Sequence, residues 1–329
     1  MIRLATVFFA LCCYAFTAPA SAAAPADWPQ WLAELRAEAA GKGISPAILD
    51  QALTGLEPDP EILQRDRKQA EFTMTAPQYL TKVVSDAKVT RGKEMAAAHQ
   101  ELLARISAKY GVQSRFILAI WGVESFYGAY TGKKPVVTSL ATLAYDRRRS
   151  KFFRRQLLAS LDMVNKGYIE LDNMKGSWAG AMGQPQFIPT SYLAYAVDED
   201  GDGRRDIWTS HADIFGSIAN YLAEHGWSDS QTWGRAVQVP DSIRQQWASL
   251  SKRDMTGQKG LQEWARQGVR RADGSPLPTP NLPTRLVAPD GKGGPFFAAY
   301  PNFKRIMAYN PSYLYALAIG TLSDRIAYE

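Results

Sequence analysis

The chain has 329 residues, of which 46% are hydrophobic and 21% charged, with a formal net charge of +6. This length allows two or three packed subdomains, and the modest basicity fits an acidic polymer as partner. No Lys/Arg block interleaved with aromatics is present, so nucleic acid is set aside, and the 2 cysteines, Cys12 and Cys13, fall in the leader, so disulfides are excluded from the mature chain.

Residues 1–22 read as a secretory signal. Arg3 gives the positive start, residues 4–16 the apolar stretch, and Ala20-Ser21-Ala22 the small-residue cleavage site. The apolar run is too short to span a bilayer. Leu11 precedes Cys12, unlike a lipoprotein signal, so a soluble periplasmic product is expected. From Trp28 to Tyr110 the pattern is helical, with turns at Gly41-Lys42-Gly43 and at Pro58 and Pro60. Residues 89–110 predict one long amphipathic helix, and Ser114 caps the next. Helices are also predicted over 154–166, 212–225 and 311–327. Between 238 and 301, Pro and Gly become frequent and short β-type runs such as Arg285-Leu286-Val287 appear. No repeat or low-complexity segment is present. The fold class is mainly α (α+β), with a small β-containing insertion late in the chain.

Glu124 stands out in the segment AIWGVESFYG, residues 119–128. Ile117, Ile120, Trp121 and Glu124 fall at i, i+3, i+4 and i+7, one stripe of a helix. A carboxylate there faces the apolar interior, and desolvation disfavours its charged form. A carboxyl kept protonated near neutral pH is what a leaving-group oxygen requires of a general acid. The stripe equally admits a structural reading, in which Glu124 pairs with a buried arginine or caps a neighbouring helix.

Residues 175–192, KGSWAGAMGQPQFIPTSY, form the second informative segment. Gly176, Gly180 and Gly183 allow tight backbone approach, and Gln186 offers an amide to a substrate hydroxyl or acetamido group. Phe187 and Tyr192 add flat apolar surface, although a plain Gly-rich loop entering a helix would read the same way. The third segment is DEDGDGRRDIW, residues 198–208. Asp198, Asp200 and Asp202 occupy positions 1, 3 and 5 of an EF-hand loop, Gly203 the position 6 turn, and Arg204 the backbone-carbonyl ligand. Thr209 stands where the bidentate Glu belongs, so Asp206 or Asp213 would close a longer loop. The acids repel unless neutralised, which favours a structural Ca²⁺ over a solvated acidic turn. His99, His211 and His225 lack zinc-protease spacing, no G-x-S-x-G elbow occurs, and GKGISP and GKGGPF are poor phosphate loops.

Together, WGVESFYG and KGSWAGAMGQPQFIPTSY resemble the membrane-bound lytic murein transglycosylase B family, enzymes that cut peptidoglycan glycan strands on a lysozyme-like fold. The resemblance continues in QAEFTMTAPQYL (69–80), ANYLAEHGW (219–227) and YNPSYLYALA (309–318), covering nearly all of the mature chain. It implies an N-terminal helical domain at 23–110, a lysozyme-like core with an EF-hand-like loop at 111–237, a small β-containing subdomain at 238–305 and a C-terminal helix at 306–329. Glu124 becomes the single catalytic acid/base. Ser177 and Gln186 lie in the groove, with Tyr79, Asn220, Tyr221, Tyr309, Asn310 and Tyr315 lining or supporting it. An arginine from Arg147-Arg148-Arg149 binds there too. The family pattern has a Pro before two arginines, whereas this chain has three arginines in a row, which leaves open which of them corresponds; Arg148 and Arg149 are the candidates taken. The family's own acidic loop is lengthened, which favours Asp213 as its closing ligand. No cofactor is implied for catalysis.

A two-carboxylate glycosidase needs a second acid, yet none occurs between Ser125 and Tyr145; Asp146 is the next. This agrees with the family mechanism, in which one Glu first protonates the glycosidic oxygen and then takes the proton from the attacking muramoyl C6 hydroxyl. Two alternatives stay open: a muramidase that hydrolyses the same bond, and a non-catalytic peptidoglycan-binding scaffold. The partners implied are peptidoglycan strands and cell-wall synthesis or turnover proteins, with the enzyme itself a monomer.

Overall fold

A computed structural model describes residues 27–67, 74–146, 148–247 and 255–327. The leader at 1–22, Arg147 and part of the 69–80 motif lie outside the described residues. The chain forms two compact units, one from Met1–Ala70 with Glu124–Ile218, the other from Glu71–Val123 with Ala219–Glu329.

The first unit opens with α1 (Trp28–Gly41), α2 (Pro46–Leu53) and α3 (Pro60–Arg67). Asp27 and Ser45 cap the first two by accepting the amides of Gln30 and Ile48, and each helix carries proline in its first turn. Those prolines sit where no amide donor is needed, so the starts are fixed locally. The second unit begins with α4 (Ala76–Val83), entered through a Thr75/Gln78 capping box, followed by α5 (Asp86–Ala98) and α6 (Gln100–Tyr110). The single helix expected over 89–110 is therefore two helices. They break at His99, which has φ −119° and ψ 23° and ends α5 as it starts α6. Its ring sits edge-on to Trp121, centroids 6.0 Å apart, a contact that hydrophobic periodicity alone does not reveal.

Helix α7 (Ser114–Ser125) follows, and its last two residues start the second segment of the first unit. The predicted cap at Ser114 instead gives its hydroxyl proton to the Leu103 carbonyl, 3.3 Å away. Then come β1 (Lys134–Pro135), α8 (Val136–Tyr145), α9 (Ser150–Asn165), β2 (Lys175–Gly176), α10 (Pro189–Tyr195) and α11 (His211–Glu224). Helix α8 is buried nearly all round, with Val136, Val137, Ser139, Leu140, Ala141, Thr142, Leu143 and Ala144 inside, because it packs on α3 and α9 together.

The late β-containing region is an antiparallel sheet of β3 (Gly234–Gln238), β4 (Lys259–Gly260), β5 (Arg270–Arg271), β6 (Pro283–Val287) and β7 (Phe296–Ala299), in the order β4-β6-β7-β3-β5. Two short helices, α12 (Asp241–Gln246) and α13 (Leu261–Arg266), cover it. Trp247, Trp264, Leu286 and Phe296 form its core, with Trp247 and Phe296 edge to face at 5.0 Å. The chain closes with α14 (Pro301–Tyr309) and α15 (Tyr313–Ala327), which packs on α4 and α5. Among the described residues no helix is long and apolar enough to cross a membrane.

Candidate active site

The predicted stripe of α7 is buried: Ile117 and Ile120 are 0% exposed, Trp121 1% and Glu124 8%. A carboxyl is thus set within an apolar face one residue before its helix ends. The chain then reverses through Phe126 (φ 51°) and Tyr127 (φ 57°), both left-handed. The Ser125 hydroxyl accepts the Gly128 amide at 3.0 Å, and the Ser125 carbonyl accepts that of Tyr130 at 2.9 Å. Left-handed backbone costs a side-chain-bearing residue roughly 1–2 kcal/mol, so the turn persists only because its surroundings enforce it. Burial also pushes the Tyr127 phenol upward, which keeps it a neutral hydroxyl.

Residues 175–187 fold back on themselves. Lys175 and Gly176 pair with Pro135 and Lys134, and Met182 bridges to Gly176 and to Phe187. The Ser177 hydroxyl oxygen accepts the amides of Ala179 (3.3 Å) and Ala181 (3.1 Å), so the oxygen is held in place. Its proton has no acceptor among the described residues. Gln186 also stands in left-handed backbone, φ 56°. Its Nε2 donates to the carbonyls of Thr131 (3.0 Å) and Gly183 (2.6 Å), which fixes which end of the amide is which. Its Oε1 is buried without a partner. The amide anticipated from sequence is therefore presented as an acceptor for a ligand N–H or O–H, because its donors are already committed.

Phe126, Tyr127 and Gln186 are the non-glycine residues with positive φ among the described residues, and all lie in the two segments singled out from sequence. Strain of this kind concentrates where function over-determines geometry.

The two assigned arginines converge on one acid. Arg148 Nη2 lies 2.6 Å from one oxygen of Asp66 and Arg149 Nη2 2.5 Å from the other. Arg148 also donates to the Asp66 backbone carbonyl at 3.1 Å, and the Arg149 guanidinium lies over the Phe153 ring at 4.8 Å. Asp66 carried no signal in the sequence, where RDR at 65–67 reads as an ordinary solvated charge run.

In the second unit, Tyr221 stacks on His225 (4.3 Å) and meets Tyr309 (4.7 Å), which in turn stacks on Tyr315 (6.4 Å). The Tyr221 hydroxyl donates to the Ala308 carbonyl at 2.7 Å, so this ring is anchored. Tyr79, Tyr315 and Asn310 are buried, whereas Asn220 and Tyr309 are part-exposed. Four of the predicted groove residues (Tyr221, Tyr309, Asn310 and Tyr315) come together around α14 and the start of α15.

In the acidic loop, one carboxylate oxygen from each of Asp198, Asp200 and Asp202 lies within 4.8 Å of the others. Asp213 is not part of that group. It is fully buried, and its two oxygens accept the amides of Glu199 (2.6 Å) and Asp206 (2.7 Å), stitching both ends of the loop to α11. Burial pushes its carboxyl above the ordinary value. The Arg204 side chain reaches Asp202 at 2.8 Å, which holds that carboxyl below the usual range. The donor set is all hard oxygen, which fits Ca²⁺. The loop's exit grips the 175–187 turn: Ile207 O accepts the Gln184 amide at 2.9 Å, and Trp208 O accepts Gln184 Nε2 at 2.8 Å. Gln184 has no signal in the sequence, since a lone Gln in a Gly-rich run carries no pattern.

Residues 27–324 match the family described as "Transglycosylase SLT domain". The chain is 32% identical to membrane-bound lytic murein transglycosylase B of Escherichia coli (strain K12) over 76% of its own length and 66% of that protein's. It is similar to SltB3 from Pseudomonas aeruginosa in complex with NAG-anhNAM-pentapeptide, at 42% identity and a TM-score of 0.84, covering 91% of this chain and 79% of that one. It is also similar to the Escherichia coli lytic transglycosylase Slt35 in complex with calcium, at 28% identity and a TM-score of 0.76, covering 90% and 92%.

Proposed function

The chain belongs to the family of peptidoglycan lytic transglycosylases, and from that premise we propose that Glu124 carries both proton transfers of its reaction. As an acid it protonates the oxygen between N-acetylmuramic acid and N-acetylglucosamine. As a carboxylate it then accepts the proton of the muramoyl C6 hydroxyl, which attacks C1 and closes a 1,6-anhydro ring. The substrate's acetamido group stabilises the oxocarbenium-like intermediate, as in glycosidases lacking a second carboxylate. Gln186 Oε1 receives a sugar N–H or O–H and Ser177 donates its free proton, both in the first unit; in the second unit, Tyr79, Asn220, Tyr221, Tyr309, Asn310 and Tyr315 are the residues proposed to contact or support the sugar chain. The leader at 1–22 delivers the enzyme to the periplasm, where its strands lie.

The observation that carries this reading is the burial of Glu124 beside a strained turn, with the same rare backbone conformation at Gln186. Mass spectrometry of digested cell wall tests it. The expected muropeptides end in anhydro rings, each one water lighter than its hydrolytic counterpart. Products with reducing ends would establish the muramidase instead, and an undigested wall the scaffold.

The acidic loop holds a structural Ca²⁺ through Asp198, Asp200, Asp202 and the Arg204 carbonyl, with Asp213 bracing the loop from α11. A bound ion relieves the repulsion of the clustered acids, and it plays no part in bond cleavage. Binding to the folded state alone stabilises by about 2.7 kcal/mol at a hundredfold excess over Kd. Chelation should lower Tm by roughly 5–10 °C, at about 2–4 °C per kcal/mol for a chain of this size class. Asp202→Ala should abolish the calcium-dependent shift. Superimposable melting curves with calcium and with chelator would leave the loop an ordinary acidic turn.

A further inference from the structure

The segment that leaves α7 is clamped to residues 176–186 at both ends. Gly128 and Gly132 press on it so closely that a Cβ on the first would overlap the Gln184 amide and one on the second the Gly176 carbonyl. Between them, the Thr131 carbonyl holds Gln186 Nε2 at 3.0 Å, and the Tyr130 amide donates to the Ser125 carbonyl at 2.9 Å. The backbone of Tyr130 is therefore fixed against the residue after Glu124, and its chain neighbour against Gln186. Its side chain is left to solvent. Tyr130 is 53% exposed, the exposed large hydrophobic residue among the described residues, and its ring leans on that of Phe126, centroids 6.1 Å apart. The left-handed turn at Phe126 and Tyr127 is what returns residue 130 to residue 125, so the strain held there presents this ring beside the candidate acid.

We propose that Tyr130 is a stacking platform for one sugar ring of the glycan strand, held beside the turn that follows Glu124. This rests on the reading that the strand lies along Glu124. The N-acetylated sugars of the strand carry their ring substituents equatorially, which leaves axial C–H bonds on each face of the ring. Those weakly positive hydrogens meet the negative face of an aromatic ring. A tyrosine has only two side-chain torsions to fix, and the backbone beneath this one is already held, so little freedom is lost when a sugar covers it.

The test uses the full-length mature enzyme and soluble, uncrosslinked glycan strands. Tyr130→Ala should raise KM about tenfold, as expected for loss of one stacked ring, with kcat within about threefold. Tyr130→Phe keeps the ring and should bring KM back to within about threefold of wild type. Tyr130→Leu keeps apolar bulk without the aromatic face and should stay near the alanine value. All three changes fall at an exposed position, so the variants should melt with the wild type. A KM for Tyr130→Ala within about twofold of wild type would overturn the platform, as would a leucine variant that restores KM as well as the phenylalanine one. A second measurement separates this from the assignment of Glu124. In a Glu124→Gln background, equilibrium binding of the same strands should weaken about tenfold on Tyr130→Ala. Unchanged binding there would take Tyr130 out of the strand's path and leave the acid in place. If Glu124→Gln still cleaves, the acid assignment fails, and the KM series alone decides for or against Tyr130.

Discussion

Glu124→Gln is expected to fold like the wild type and to release anhydro-muropeptides at least roughly 10³-fold more slowly. A positioned acid or base contributes about 10²–10⁴-fold to a rate, and here one residue supplies both transfers in sequence. The amide is nearly isosteric with the carboxyl and carries no charge into the 8%-exposed position, so melting should change little. Neither half of the reaction has an obvious substitute in the sequence, since the next acid after Glu124 is Asp146. Timed release of soluble products from purified wall, read beside a melting curve, settles the matter. Activity within tenfold of wild type in a folded variant would remove Glu124 from the chemistry.

Gly132→Ala should be the most damaging single methyl in the first unit. Gly132 has φ +88°, and a Cβ there would overlap the Gly176 carbonyl and lie 2.6 Å from the Ser177 nitrogen. Both obstacles are backbone, in the strand that holds Ser177, so no side chain can swing away. The left-handed conformation costs about 1–2 kcal/mol and the overpacking about 1–3 kcal/mol more. A drop in Tm of roughly 5–10 °C is expected. Because the displaced strand carries Ser177, KM on glycan strands should rise as well. A variant melting within a degree of wild type would mean that β1 and β2 do not approach in solution as they do here.

Much of this was legible because the signals are local. Proline in the first turn and Asp27 or Ser45 before it announce α1 and α2 without reference to anything distant. The buried stripe of α7 needs only a period of 3.6 to be read, and Glu124 is conspicuous because it violates that stripe. What escaped was set by contacts far apart in sequence. The break falls at His99, whose ring meets Trp121 more than twenty positions away. Asp66 gained meaning only when Arg148 and Arg149 closed on it from across the unit. Gln186 shows the boundary within a single residue. Its presence in the groove segment was readable, but which end of its amide is free depends on the Thr131 and Gly183 carbonyls. Asp213 shows the same limit: the lengthened loop points to it as a closing ligand, but that its two oxygens accept the amides of Glu199 and Asp206 is set only by folding.

The grip of Gln184 on the acidic loop has a consequence for how this protein can vary. Both acceptors, Ile207 O and Trp208 O, belong to the main chain, so every amino acid at positions 207 and 208 supplies them equally. The loop's acids and its exposed Arg204 can therefore drift in sequence without releasing the turn that holds Gln186. The tolerance is one-sided. A replacement at position 184 surrenders the side-chain half of the bond, whatever stands opposite, and inserting one residue after Asp206 would shift both carbonyls out of register together. Substitutions are absorbed here, while changes of length are not.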